Sequence, residues 1–135
     1  MGLILDTNVF IHSERSGKLI DFSKWEKYGD VYISSITASE LLVGVHYAQT
    51  QVQCIRRSAF VESILAKIPI LNFDVEEARV HASLFANLAM QGKIIGAHDL
   101  IIAATAIVHN CAVLTENTRE FERVPGLETI SFTNS

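Results

Sequence analysis

Residues 3–11 read "LILDTNVFI", and the placement of one carboxylate in this stretch decides how the chain is organised. Residues 2–5, "GLIL", form a short apolar run, as expected of a strand buried on both faces of a parallel sheet. Asp6 ends that run, and residues 7–14, "TNVFIHSE", continue with helical spacing up to the "RSG" break at 15–17. A charge between two apolar runs costs free energy unless it is paired, solvated or holding a cation. One reading makes Asp6 the cap of the following helix, accepting from the amide of Asn8 or Val9. The other places it in a functional site.

Outward from this point, strand-like and helix-like spacings alternate. Residues 18–29, "KLIDFSKWEKYG", predict a second helix closed by Gly29, and 31–34, "VYIS", a second strand. Helices follow over 37–49 and 52–68, the latter with Ile55, Val61, Ile64, Leu65 and Ile68 near one side and Pro69 as its stop. Residues 70–73 predict a third strand. Residues 74–92 predict a helix with Asp74 and Glu77 in capping-box positions and Gly92 at its end. After the loop 93–98 comes a nearly all-apolar helix over 99–110, then a strand over 111–115, a short helix over 118–124 and a last strand over 128–132. Strands alternating with helices predict a single α/β domain over residues 1–135, a parallel sheet covered on both faces. Ligands in such sheets bind beyond the carboxyl ends of the strands, where strand order reverses.

Bulk properties narrow the classes. With 135 residues the chain can bury a real core, and its net charge of −4 gives it no overall attraction for nucleic acid. Any such contact must come from local basic clusters or from metal ions that reverse the sign of a site. An apolar fraction of 49% beside a charged fraction of 19% implies that a partner covers part of the surface, and a homodimer is expected. Cys54 and Cys111 have no ligand spacing and read as small buried hydrophobes of a reduced protein. No leader precedes Asp6 and no run approaches the roughly 20 apolar residues that span a bilayer, so a cytoplasmic location without membrane contact is expected. Gly2 is no myristoylation signal, because Asp6 stands where that motif needs Ser or Thr.

Other acids repeat the pattern of Asp6. Glu40 follows the second strand in "SSITASELLVG", Asp99 opens the buried helix in "IGAHDLIIAATA", and Asn117 and Glu120 follow the fourth strand in "LTENTREFERV". Each has a structural explanation of its own. "TASE" from Thr37 to Glu40 is a capping box. Asp99 in a first turn complements the helix dipole, and Glu120 suits a solvated face. Yet all fall at one rim of the inferred sheet, where carboxylates repel unless cations fill the notch. Oxygen ligands without Cys or His select Mg²⁺ or Mn²⁺.

"LDTNVFI", "SSITASELLVG", "GAHDLIIAATA" and "LTENTREFERVPGL", in this order, resemble the PIN-domain family of metal-dependent ribonucleases, most of all the VapC toxins of bacterial toxin–antitoxin pairs. The likeness runs through essentially the whole chain. It implies a PIN-like three-layer α/β/α sandwich around a parallel five-stranded sheet. It also implies an endoribonuclease using one or two Mg²⁺ or Mn²⁺ ions, with Asp6, Glu40 and Asp99 as the regular acids. Asp6 and Asp99 are then direct ligands, and Glu40 a ligand, directly or via water, or a water-positioning base. Asn117 stands where many members have Asp, so either Asn117 or Glu120 supplies the fourth position. Thr7, Asn8 and Thr115 match positions that orient the acids or water. The resemblance further implies an RNA substrate cut to leave a 5′-phosphate and a VapB-like antitoxin bound partly by the first helices. Operator DNA would be met only through the antitoxin complex.

Arg119 and Arg123 flank the fourth acidic position and Lys93 precedes Asp99; all three are candidate phosphate contacts, or else solubilise a helix end and a loop. Arg56 and Arg57 read as surface or interface charges. His98 adjoins Asp99 and reads as a helix-entry residue, while His12, His46, His81 and His109 share no ligand spacing. Phe10, Phe22 and Trp25 suit a core or a partner groove better than base stacking. A dehalogenase-type phosphotransferase would need an acid at Asn8, a receiver domain a paired acid and a late Lys, and a dinucleotide binder glycines after the first strand. A PIN-like binding module of weak or no activity, holding RNA or protein, is the alternative that Asn117 keeps open. The nuclease reading requires Asp6, Glu40 and Asp99 to approach closely enough to share an ion, directly or through its water.

Overall fold

The structure, a computed structural model, describes residues 1–18 and 20–133. The chain runs β1 (Gly2–Leu5), α1 (Thr7–Ser16), a 3₁₀ helix (Phe22–Tyr28), β2 (Asp30–Ser34), α2 (Ser35–His46), α3 (Gln51–Lys67) and β3 (Ile70–Leu71). It continues through α4 (Val75–Met90), α5 (Ala97–Val108), β4 (Cys111–Thr115), α6 (Thr118–Phe121) and β5 (Thr129–Ser131). The strands form one five-stranded, all-parallel sheet of order β3-β2-β1-β4-β5. The chain leaves β1 towards β2 and β3, then returns to build β4 and β5 on its other side. The order therefore reverses between β1 and β4, which opens a crevice beyond their carboxyl ends.

Side-chain alternation explains why the sheet is covered twice. Leu3 and Leu5 of β1, with Ala112 and Leu114 of β4, join Val9, Phe10, Trp25, Ile33, Leu41, Val61 and Ile64 in one core. Ile4 and Val113 point the other way, into a second core with Leu84, Leu88, Leu100, Ile102, Ala103 and Phe121. The all-apolar α5 fits this placement, since Ile102, Ala103, Ala104 and Ala106 are fully buried. Burying each Leu, Ile, Val or Phe contributes about 1.5–3 kcal/mol, so the short strands are held chiefly by what covers them. Phe10 and Trp25 are core residues, and Phe22 packs against the same cluster.

Several predicted boundaries move. The helix expected over 18–29 is a 3₁₀ segment of residues 22–28, because Asp21 accepts from the Ser23 amide and starts it late; Leu19 lies outside the described residues. The third strand keeps only two residues of its predicted 70–73, and the last strand three of 128–132. Both are edge strands with a single pairing neighbour. The capping box of Asp74 and Glu77 is present as read. Cys111 is buried, Cys54 half-buried, and both are free thiols. Among the described residues no helix is long and apolar enough to cross a membrane.

Candidate active site

Asp6 sits where β1 gives way to α1. Its backbone N–H donates to the Leu114 carbonyl at 3.0 Å, extending the β1–β4 pairing past the strand. Oδ1 accepts the Thr7 amide at 2.7 Å, so the carboxylate does cap α1, though on Thr7 rather than Asn8 or Val9. Oδ2 accepts the Thr115 hydroxyl at 2.7 Å. Thr115 Oγ1 accepts in turn from the Asn117 amide at 2.9 Å and from Asn8 Nδ2 at 3.4 Å, which uses its one donor and both lone pairs. The side-chain oxygen of Asn8 accepts the Glu116 amide at 3.2 Å. Only 5% of Asp6 is exposed. Burial pushes its pKa above the usual carboxylate range and the Glu40 charge adds to this, against the hydrogen bonds from Thr115, Thr7 and Asn8.

Glu40 arrives from α2, and it is no capping-box partner. Ser34 caps that helix by accepting from the Ile36 amide at 3.2 Å, so α2 begins ahead of Thr37. Freed from the backbone, Glu40 Oε1 accepts the Thr7 hydroxyl at 2.7 Å, and Oε2 lies 3.1 Å from His98 Nδ1. Thr37, fully buried, stands 3.3 Å from the Thr7 hydroxyl.

Asp99 lies in the first turn of α5, which starts at Ala97. Its pKa is pushed up to about 7, first by burial and then by the charges of Asp6, Glu120 and Glu40. Glu120 is held below its ordinary value by the hydrogen bonds it accepts from the Gly96 amide and from Asn117 Nδ2, the latter at 2.7 Å, with Arg123 nearby. Glu120 is thus not a solvated face residue. The Asp99 and Glu120 side chains interact with each other, which raises the first and lowers the second. A Cβ at Gly96 would stand 3.2 Å from Glu120 Oε1 and 3.5 Å from Asp99 Oδ2, so glycine lets the loop approach both acids. Arg123 Nη1 donates to the Ile94 carbonyl, which fixes the same loop from a second point. Asn117 orients Glu120 rather than standing alone. Lys93 and Arg119 are exposed. Arg57 ties α3 to α2 through the Gly44 carbonyl at 2.9 Å and faces Glu14 at 3.7 Å.

Sequence reasoning set His98 aside and missed Thr37 and the Gly96 amide. His98 carried a signal, its adjacency to Asp99; Thr37 and Gly96 carried none. The acids of four chain segments are brought within electrostatic reach of one another at the β1–β4 crevice. Among the described residues, no three His, Cys, Asp or Glu side chains close into a ready-made metal cage. The set still fits a hard divalent cation. Its donors are carboxylate oxygens, a cation would offset the burial and the repulsion that raise Asp99, and Mg²⁺ commonly binds through one or two carboxylates while keeping several waters.

Comparison with known proteins gives relatives in both sequence and fold. Residues 3–127 match the PIN domain family. Ribonuclease VapC1 of Rickettsia felis is 41% identical over 131 residues, 97% of this chain and 96% of that one. The tRNA(fMet)-specific endonuclease VapC of Shigella flexneri is 34% identical, over 93% and 94% of the two chains. Among solved structures, VapBC2 from Rickettsia felis bound to a DNA fragment from their promoter superposes with a TM-score of 0.86 at 27% identity, covering 98% of this chain and 99% of that chain. DNA-bound VapBC from Salmonella typhimurium gives a TM-score of 0.84 at 29% identity, over 97% and 98%.

Proposed function

We propose, from the premise that the chain belongs to the PIN domain family and to its VapC ribonuclease branch, that it is a Mg²⁺- or Mn²⁺-dependent endoribonuclease and the toxin of a toxin–antitoxin pair. The observation that carries the reading is the meeting of Asp6, Glu40, Asp99 and Glu120, from four separate segments, at the reversal point of the sheet. When bound, the ion supplies Lewis acidity, lowering the pKa of water and offsetting charge on the phosphate.

The chain's own residues do the rest. Asp6 and Asp99 are the direct ligands of the one or two ions, and Glu120, steadied by Asn117 and Gly96, is the fourth acid. Glu40 takes the proton of the attacking water, a role supported by its contacts to Thr7 and His98. Attack on phosphorus with departure of the 3′-oxygen, which takes up a proton, leaves a 5′-phosphate and a 3′-hydroxyl. Lys93 and Arg119 are the phosphate contacts, with Arg123 contributing the donors that Ile94 does not use. A VapB-like antitoxin is the protein partner, supported by the VapBC complexes among the similar structures, and operator DNA is met through that complex. Exposed Phe85, Met90 and Ile94 support a homodimer. The cytoplasm, where such RNA is found, is the proposed location.

The test compares RNA cleavage by the wild type, Asp6→Asn and Asp99→Asn, with chelator, Mg²⁺ or Mn²⁺. Cleavage by the wild type alone, and only with metal, is the expected result. Equal cleavage by all three would remove the mechanism, and no cleavage by the wild type with either ion would favour the binding module.

A further inference from the structure

Two depressions flank α1. One faces α2 and α3 and has an apolar floor that includes Leu41 and Val61. The other, of about 520 Å³, starts at Asn8 and Glu116 on the rim of the acid site and passes Ile11 and Arg15 to His12 and Ser16. His12 and Ser16 also line a cavity of about 400 Å³ walled by Lys18, Ile20, Lys24, Trp25 and Phe132. His12 and Ser16 stand in both linings, so the two depressions adjoin. Together they make a surface channel that begins at Asn8, whose amide is bonded to Thr115, and ends at this cavity.

Its charge is opposite to that of the acid site. Arg15, Lys18 and Lys24 are exposed cations. Two carboxylates lie along the way, Glu116 at 3.0 Å from His12 Nδ1 and Asp21, which accepts from the Ser23 amide at 3.0 Å and hydroxyl at 2.6 Å and also faces Lys24, so the three cations leave the lining net positive. The reversal that presents Lys18 is fixed. Gly17 turns the chain at φ 70°, Ser13 Oγ donates to the Lys18 carbonyl at 2.7 Å, and the Lys18 amide donates to Ser16 Oγ at 3.2 Å. The far wall is apolar and aromatic, with Trp25 and Phe132 ring centres 5.9 Å apart. The cavity lies within the roughly 300–1,000 Å³ typical of small-ligand pockets.

We infer that this channel is a subsite for single-stranded RNA beside the cleavage point, an assignment that rests on the ribonuclease reading above. Backbone phosphates run past Arg15, Lys18 and Lys24, and one base enters the cavity against the half-buried Ile20 and Phe132. Cations that follow a backbone, beside an aromatic surface that accepts any base, are the means by which proteins hold single strands with little sequence preference. This also answers how a chain of net charge −4 gathers a polyanion: the attraction is local, and it borders the apolar-floored groove at Ile11 and Arg15.

The experiment measures binding of a fluorescein-labelled single-stranded RNA of about twelve nucleotides by anisotropy, on the full chain with Mg²⁺. An Asp99→Asn background keeps the strand intact. Replacing two phosphate contacts, Lys18→Gln with Lys24→Gln, is expected to weaken binding about tenfold at physiological salt and to reduce the slope of log K against log salt by about 1.4. Lys67→Gln, the loss of a single charge at the end of α3, is expected to leave affinity within about twofold, against about threefold for each of Lys18→Gln and Lys24→Gln alone. Unchanged affinity and slope in the double variant would overturn the proposal, also if it disturbs self-association or a protein partner instead, because the channel would then belong to protein. The ribonuclease reading fails separately, if the wild type does not cut RNA at all.

Discussion

Asp99 gives the sharpest physical prediction, because its carboxyl is raised to about 7 by burial and by three other acids. In the unfolded chain the same group titrates near 3.8. Between these values the folded state binds the proton that the unfolded state has lost, so in chelator Asp99 removes stability as pH rises from about 4 to 7. The full shift would correspond to about 4 kcal/mol; solvent screening at this partly open rim reduces it to about 1–2 kcal/mol. Asp99→Asn keeps the shape and removes the charge. With an unfolding entropy of about 2.1 cal/mol/K per residue, the variant is expected to melt about 4–7 °C above the wild type at pH 8. The gain should shrink towards zero near pH 4, below which the Asp99 carboxyl is protonated in the folded and the unfolded chain alike. Calorimetry in chelator over this range is the assay. Mn²⁺ should then raise the wild type towards the variant and leave the variant nearly unmoved. Equal melting temperatures at pH 8, or the same gain at every pH, would refute the claim that these acids repel one another in one pocket.

Thr115→Val removes the hydroxyl that serves Asp6, Asn117 and Asn8; cleavage rate and Mn²⁺ affinity should fall together by about 10–100-fold, and unchanged Mn²⁺ affinity by titration would count against the hub. Glu77 is a control at the opposite end of α5 from Asp99, with Oε1 on the Asp74 amide at 2.8 Å and Oε2 at 3.1 Å from His109. Although burial raises its pKa, the hydrogen bonds and the nearby His109 outweigh it and hold Glu77 below 4.5, so its contribution is present above pH 4.5 and lost as pH falls further. Glu77→Ala should cost about 1–3 kcal/mol, seen in the melting temperature at pH 7, while cleavage per folded molecule is retained.

Much of the fold was legible because the signals are local. "GLIL" and "CAVLT" are apolar on both faces, and only a sheet covered twice can bury them. The 74–92 helix announced itself through Asp74 and Glu77. The segment after Gly17 misled because its apolar spacing suits a helix, whereas the Asp21 side chain, satisfying the Ser23 hydroxyl and amide, sets a later and tighter start. "TASE" misled for the same kind of reason. A Ser in the right place caps one turn earlier, and the glutamate is left for another task.

The sequence by itself determined which acids lie near strand ends, since a charge that breaks an apolar run marks the edge of the core. It also determined the parallel sheet, from period and from run length. Only the tertiary structure decided the partners of those acids. Thr7 on Glu40, Thr115 on Asp6, His98 on Glu40 and the Gly96 amide on Glu120 join residues separated by 24 to 109 positions. Such pairs exist only after β1 and β4 align side by side and α2, α5 and α6 pack onto the sheet. Hydrogen bonds reach about 3 Å, and no local pattern encodes which distant oxygen will stand at that distance.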